Sequence, residues 1–310
     1  MSKHRIDTHH HVVPAFYRDW LDNKGIDAGG LPIPDWDLAT DLALLDQHEI
    51  ATAILSVSTP GVEPGEIQET RDMARRLNEY SAELVRDHPG RYGFFMTLPL
   101  PDVDGALAEL AYSYDTLGAN GVVLHANSKG VYLGDPRFDA LFNELQRRKS
   151  VIFIHPSALP GGEVPGLPAY AADFLLDSVR AAMNLARTGT LTRCPDLKLI
   201  LSHGGGFLPF AGARLSGLAD PNGSVADGYA LMQRFYLDSA LASSPFALPA
   251  TTAWAAADHL TFGTDYPYAN AERGLLFTAA LDAYQDIDHE AVNRTNALTL
   301  FPELVRAQGG

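Results

Sequence analysis

Arg5-Ile6-Asp7-Thr8-His9-His10-His11-Val12-Val13 is the stretch that separates two architectures for this chain. Its β-branched residues and its apolar flanks predict a buried first strand. A doubly wound open sheet would more often follow that strand with a Gly-rich phosphate fingerprint, and here three histidines stand in its place. Side chains alternate faces along a strand, so His9 and His11 point one way and His10 the other. Two imidazoles on one face at a strand end can grip a single metal ion. Ile6 before the run and Val12-Val13 after it argue against a solvated, tag-like histidine run.

The pattern recurs along the chain. Short apolar runs cover residues 5–9, 52–57, 92–98, 121–125, 151–155, 198–203, 235–238 and 260–263. Helical spacing fills the segments between them. Phe138, Leu141, Phe142 and Leu145 fall at i, i+3, i+4 and i+7, and Leu107, Leu110, Ala111, Tyr114 and Leu117 repeat the spacing. Ala74, Leu77, Leu84 and Val85 stripe a long charged helix. Eight βα units predict an α/β fold of the (β/α)8 barrel type, with residues 1–310 as one domain. Connections 12–37 and 156–172 are long and leave the C-terminal ends of strands, so they are expected to wall or cover the active face.

Several runs end in chemistry. His155 closes Val151-Ile152-Phe153-Ile154, and Asp265 follows Leu260-Thr261-Phe262-Gly263-Thr264. A carboxylate there is costly to bury unless it is paired or metal-bound. His9, His11, His155 and Asp265 therefore read as ligands of one divalent ion, zinc or one like it. His203, before Gly204-Gly205-Gly206, reads as the proton-transfer residue, because a catalytic metal keeps one position open. Asp265 shares that catalytic role. His125 stands open between a contact near the site and a structural group, as does Asp238. His4, His48, His88, His259 and His289 are expected to have no part in the chemistry. There is no HExxH, and no GxSxG accompanies the His203 loop, so zincin and serine-hydrolase readings fall away.

The totals narrow the partners. Of 310 residues, 46% are hydrophobic and 20% charged, with a formal net charge of −15. That balance disfavours nucleic acid and anionic membrane as partners and leaves a small anionic substrate possible. Cys194 is the only cysteine, which rules out a disulfide framework and a Cys-rich zinc site. No apolar run approaches the roughly 20 residues of a membrane span, and residues 1–5 carry no apolar signal region. A soluble, cytoplasmic protein is the expectation.

Asp7-x-His9-x-His11, His155-Pro156, Ser202-His203-Gly204-Gly205, Gly263-Thr264-Asp265-Tyr266-Pro267 and Asn296-Ala297 near Leu300-Phe301 together resemble the amidohydrolase superfamily. The nearest resemblance is to its branch of aminocarboxymuconate-semialdehyde, γ-resorcylate and 6-methylsalicylate decarboxylases. The resemblance covers nearly the whole chain. It implies a distorted (β/α)8 barrel with one divalent metal, zinc with manganese as the alternative, on His9, His11, His155 and Asp265, and His203 as the catalytic histidine. Binuclear members carry a carboxylated lysine on the fourth strand. Here that strand ends in His125, and Lys129 lies four residues later, which favours a single ion. The resemblance also implies a homodimer.

Three reactions suit such a site. The first is nonoxidative decarboxylation of a 2-hydroxybenzoate-like acid of the 6-methylsalicylate type, with Asp265 or His203 delivering the proton. The alternative is metal-assisted hydrolysis of a lactone or amide. A third is hydration of an unsaturated acid. The ligand set does not separate them, and the resemblance favours decarboxylation. A cation placed for the substrate carboxylate would discriminate, and Arg214, Arg273 and Lys129 are the candidates.

Overall fold

The computed structural model describes residues 4–161, 164–220 and 222–307. Eight strands form one sheet in sequence order: β1 (Arg5–His11), β2 (Ile50–Ser56), β3 (Tyr92–Thr97), β4 (Gly121–His125), β5 (Val151–His155), β6 (Lys198–Leu201), β7 (Tyr236–Asp238) and β8 (Leu260–Thr261). Every neighbouring pair is parallel. The sheet comes round to its own first strand, where Thr8 N–H donates to Phe262 O at 2.9 Å and Asp265 N–H to His9 O at 2.8 Å. His11 N–H closes the seam onto Tyr266 O at 2.7 Å. This is the barrel that the eight apolar runs predict. The runs and the strands agree to within two residues at each end, and β6 and β8 stop two residues earlier than the runs do.

Helices pack outside the sheet because their apolar stripes need cover. In Asp139–Arg148 the predicted stripe of Leu141, Phe142 and Leu145 is buried, with Phe138 buried just before it. In Ile67–Asp87, Ala74, Leu77 and Leu84 are buried. A second apolar cluster fills the barrel interior. Ile6, Ile54, Phe95, Val123, Phe153, Ile200 and Tyr236 meet there, and Leu300, Phe301 and Leu304 plug the end away from the strand C-termini. Packed in this way, the barrel leaves only its strand C-termini for chemistry. Among the described residues no helix is long and apolar enough to cross a membrane.

One local departure places the site. Strict alternation would align Ile6 with Thr8 and His10. Instead β1 carries a register shift against β2 between Asp7 and His10. The bulge resets the phase, so Ile6 packs inside while His9 and His11 also turn inward. Bulges re-aim side chains in this way beside functional sites.

Candidate metal centre

Three imidazoles meet over one carboxylate, each held from behind. His9 Nδ1 donates to Asp238 Oδ2 at 2.7 Å. His11 Nδ1 lies 2.8 Å from Ser56 Oγ, whose own hydroxyl donates to His10 O at 3.1 Å, so the ring is the donor in this pair. His155 Nδ1 donates to Pro156 O at 2.9 Å. Tethering one ring nitrogen fixes the tautomer and aims the other. His9 Nε2 and His11 Nε2 lie 3.1 Å apart, and each is 3.1 Å from Asp265 Oδ1. Two bare nitrogens at that separation repel unless a proton or a cation lies between them. Imidazole and carboxylate donors converging like this fit a divalent ion.

His203 comes in from the turn after β6. Its Nε2 is 3.5 Å from Asp265 Oδ2, and its backbone N–H donates to Asp238 Oδ1 at 2.9 Å. His9, His155, His203 and Asp265 each offer a ligand atom, all within 4.8 Å of one another. His203 thus stands close enough to serve as a ligand as well as a proton carrier. Both His203 (φ 54°) and Asp265 (φ 63°) occupy the left-handed region, where non-glycine residues carry strain that clusters at functional sites. The following glycines are needed where they stand: Gly206 has φ 63°, and a Cβ there would meet Leu175 O at 2.3 Å.

Charge follows burial and partners. Burial opposes a charge on His9, yet the carboxylates of Asp238 and Asp265 outweigh it and raise His9 to about 10. Burial lowers His11 to about 4 against the pull of Asp265, with His9 adding to the descent. His155 is pushed well below its usual range by burial and then by the neighbouring histidines. Burial works to protonate Asp265, but His9, His11 and His203 hold it well below the carboxylate range. His10, facing outward as predicted, lies 3.0 Å from Asp7 Oδ2 and 2.8 Å from Asp41 Oδ1. Burial opposes its charge, and Asp41 and Asp7 raise it to about 10.

His155, His203 and Asp265 of this cluster form the floor of a cavity of about 650 Å³. Ala28 and Leu31 from connection 12–37, and Tyr170 and Ala171 from connection 156–172, wall it as expected. Residues 162 and 163 of the second connection lie outside the described residues. Phe174, Leu175, Leu241 and Ala242 keep the wall largely apolar. His203 Nδ1 and Tyr268 Oη are buried without a hydrogen-bond partner among the described residues, and both residues line this space. Of the three candidate cations, Arg273 lines the cavity, whereas Lys129 borders a separate groove and Arg214 is exposed on helix Leu208–Ala219.

His125 does not reach the cavity. It pairs in register with His155, its Nδ1 lies 3.9 Å from Glu63 Oε1, and it borders a small separate pocket. Asp238 is resolved as the group that holds His9 and the His203 turn. Ser56 was missed in the sequence, and Asp7 entered only as part of the Asp7-x-His9-x-His11 motif, with no role of its own. Ser56 ends a strand just as the ligands do, and that position was the available signal. Asp7 accepts from His9 N, Thr264 N and Thr264 Oγ1, and so clasps β1 to the turn that carries Asp265.

Comparison with known proteins follows this geometry. The amidohydrolase family model matches residues 6–302. A 6-methylsalicylic acid decarboxylase from Penicillium expansum is 37% identical over 314 residues, covering 97% of each chain. Decarboxylase macB from Penicillium terrestre is 36% identical over 320 residues, covering 96% of this chain and 95% of that one. A crystal structure titled as an amidohydrolase II superposes with a TM-score of 0.91 at 28% identity, covering 96% of this chain and 99% of that chain. With the site's histidines and aspartate converging at the strand C-termini, the chain belongs to the amidohydrolase family.

Proposed function

We propose that this chain is a metal-dependent nonoxidative decarboxylase of a 2-hydroxybenzoate-like aromatic acid, of the 6-methylsalicylate type. The observation that carries the reading is the set of three tethered imidazoles meeting Asp265 on the floor of a largely apolar cavity. Similarity to a decarboxylase at 37% identity supports the substrate class. His9, His11, His155 and Asp265 would hold one ion, zinc by its donor preferences and manganese as the alternative. Bound there, the ion supplies a Lewis acid and a template for the substrate's carboxylate and phenolic oxygens.

The residues of the chain do the rest. The apolar wall accepts the ring and excludes water. The His203–Asp265 pair, with Nε2 and Oδ2 3.5 Å apart, carries the proton. The ring carbon bearing the carboxylate takes that proton and aromaticity is broken. The C–C bond then cleaves, its electron pair returns to the ring, and CO2 leaves. The same reading takes residues 1–310 as one barrel domain working as a homodimer in the cytoplasm.

The test is product formation from 6-methylsalicylate and related 2-hydroxybenzoates, followed by chromatography with and without a chelator. Chelator-sensitive loss of the carboxylate is expected, and His155→Ala should lose both metal and turnover. Intact acids after incubation with metal-loaded protein, with lactones opened in their place, would replace this reading with hydrolysis.

A further inference from the structure

Arg273 is the one lysine or arginine among the described residues that line the cavity. It sits in the first turn of helix Ala271–Ala283, where Asn270 Oδ1 accepts from its backbone N–H at 2.9 Å. That cap fixes the backbone and leaves the side chain free to serve. The guanidinium stands 5.9 Å from the Phe277 ring centroid and makes no ion pair among the described residues. Asp265, 6% exposed, lies at the floor, whereas Arg273 is exposed at the rim. A substrate entering the cavity therefore meets Arg273 before it meets the ligand cluster.

The charge of the whole molecule gives this position its meaning. A formal net charge of −15 repels an aromatic carboxylate. At physiological salt the Debye length is about 8 Å, so the charges nearest the path decide the outcome. Along the cavity wall those charges are Arg273 and, at the floor, Asp265 with the ion it would help to hold. A guanidinium pairs with a carboxylate through two parallel N–H donors, which an ammonium does not reproduce.

We propose that Arg273 is the anion-recognition residue of this cavity, meeting the carboxylate of the incoming aromatic acid at the mouth and favouring its capture before it passes to the ligand cluster. This rests on the decarboxylase reading above for its substrate. The residue takes no part in C–C cleavage, so its effect falls on KM more than on kcat.

The experiment compares metal-loaded wild type, Arg273→Gln, Arg273→Lys and, as a matched control off the cavity, Arg214→Gln. Turnover of 6-methylsalicylate is measured at about 20 and 300 mM ionic strength, and its equilibrium Kd is taken by calorimetry. Arg273→Gln should raise KM and Kd about two- to fivefold, the scale of an exposed ion pair. Its kcat should fall by less than KM rises, and Arg273→Lys should recover part of the loss. Salt gives a second readout. Added salt screens the attraction in wild type and raises KM, and in Arg273→Gln, which keeps only the pull of the bound ion, the rise should be shallower. Unchanged KM and the same salt slope in both proteins would overturn the proposal, as would an equal loss in Arg214→Gln. If wild type binds the acid without decarboxylating it, the reaction assignment fails, and a weaker Kd in Arg273→Gln still supports the recognition role. If wild type does not bind the acid, both fall.

Discussion

Asp238 Oδ2 and His9 Nδ1 lie 2.7 Å apart with both side chains sealed from solvent. The other oxygen of the same carboxylate accepts from His203 N at 2.9 Å and Ala240 N at 3.0 Å. One buried group thus sets the tautomer of a candidate ligand and the position of the candidate proton carrier. Outer partners of this kind are worth ten- to hundredfold in metal affinity. Asp238→Asn should weaken metal binding by about that factor, read by competition with a chromogenic chelator. Unchanged affinity would mean that His9 is oriented by something else.

His203→Asn separates two roles that its position allows. As a proton carrier, its loss should lower kcat by about 10²–10⁴ while the metal content stays at wild-type level. Metal analysis and turnover on the same preparation decide the matter. Metal lost in step with activity would make His203 a ligand.

Gly263 stands against His9, and a Cβ on it would come within 2.7 Å of His9 Cβ and 3.2 Å of Ala240 Cβ. Neither neighbour is the yielding tip of a long side chain. Gly263→Ala should therefore cost about 1–3 kcal/mol through overpacking and weaken metal binding as His9 is displaced. Denaturant midpoints with and without metal measure both parts. A variant as stable as wild type, with full metal, would show that β1 yields at no cost.

The metal-free protein should be most stable near the pH of an ordinary histidine. His9 and His10 are raised to about 10, so their contribution is complete below 6.5 and is lost as pH climbs through 10. His11, lowered to about 4, and His155, lowered in the same direction, contribute above 6.5 and lose that contribution as pH falls toward 4. Urea midpoints in chelator across this range should peak near about pH 6.5 and fall on both flanks. A midpoint that climbed steadily from neutral to alkaline pH would contradict the assignment of His9 and His10.

Most of the barrel was legible because each strand is an apolar run with its chemistry at the C-terminal end. His155, His203 and Asp265 announce themselves by ending such runs. The facing of His9 and His11 was read correctly from their two-residue spacing, whereas the bulge in β1 was not foreseen. That bulge depends on how β1 seats against β2, a contact that alternation within one strand does not encode. Ser56 escaped notice because its place at a strand end says little until His11 is beside it. Arg273 could be named among three cations but not chosen, since the choice rests on which helix start borders the cavity.

The clasp at Asp7 has a consequence in time. It joins residues near the start of the chain to Thr264, 257 positions later, and His11 meets Asp265 across 254. The full ligand set therefore does not exist on a chain still being made. Until the eighth strand docks beside the first, the histidines lack the carboxylate that completes the candidate ligand set.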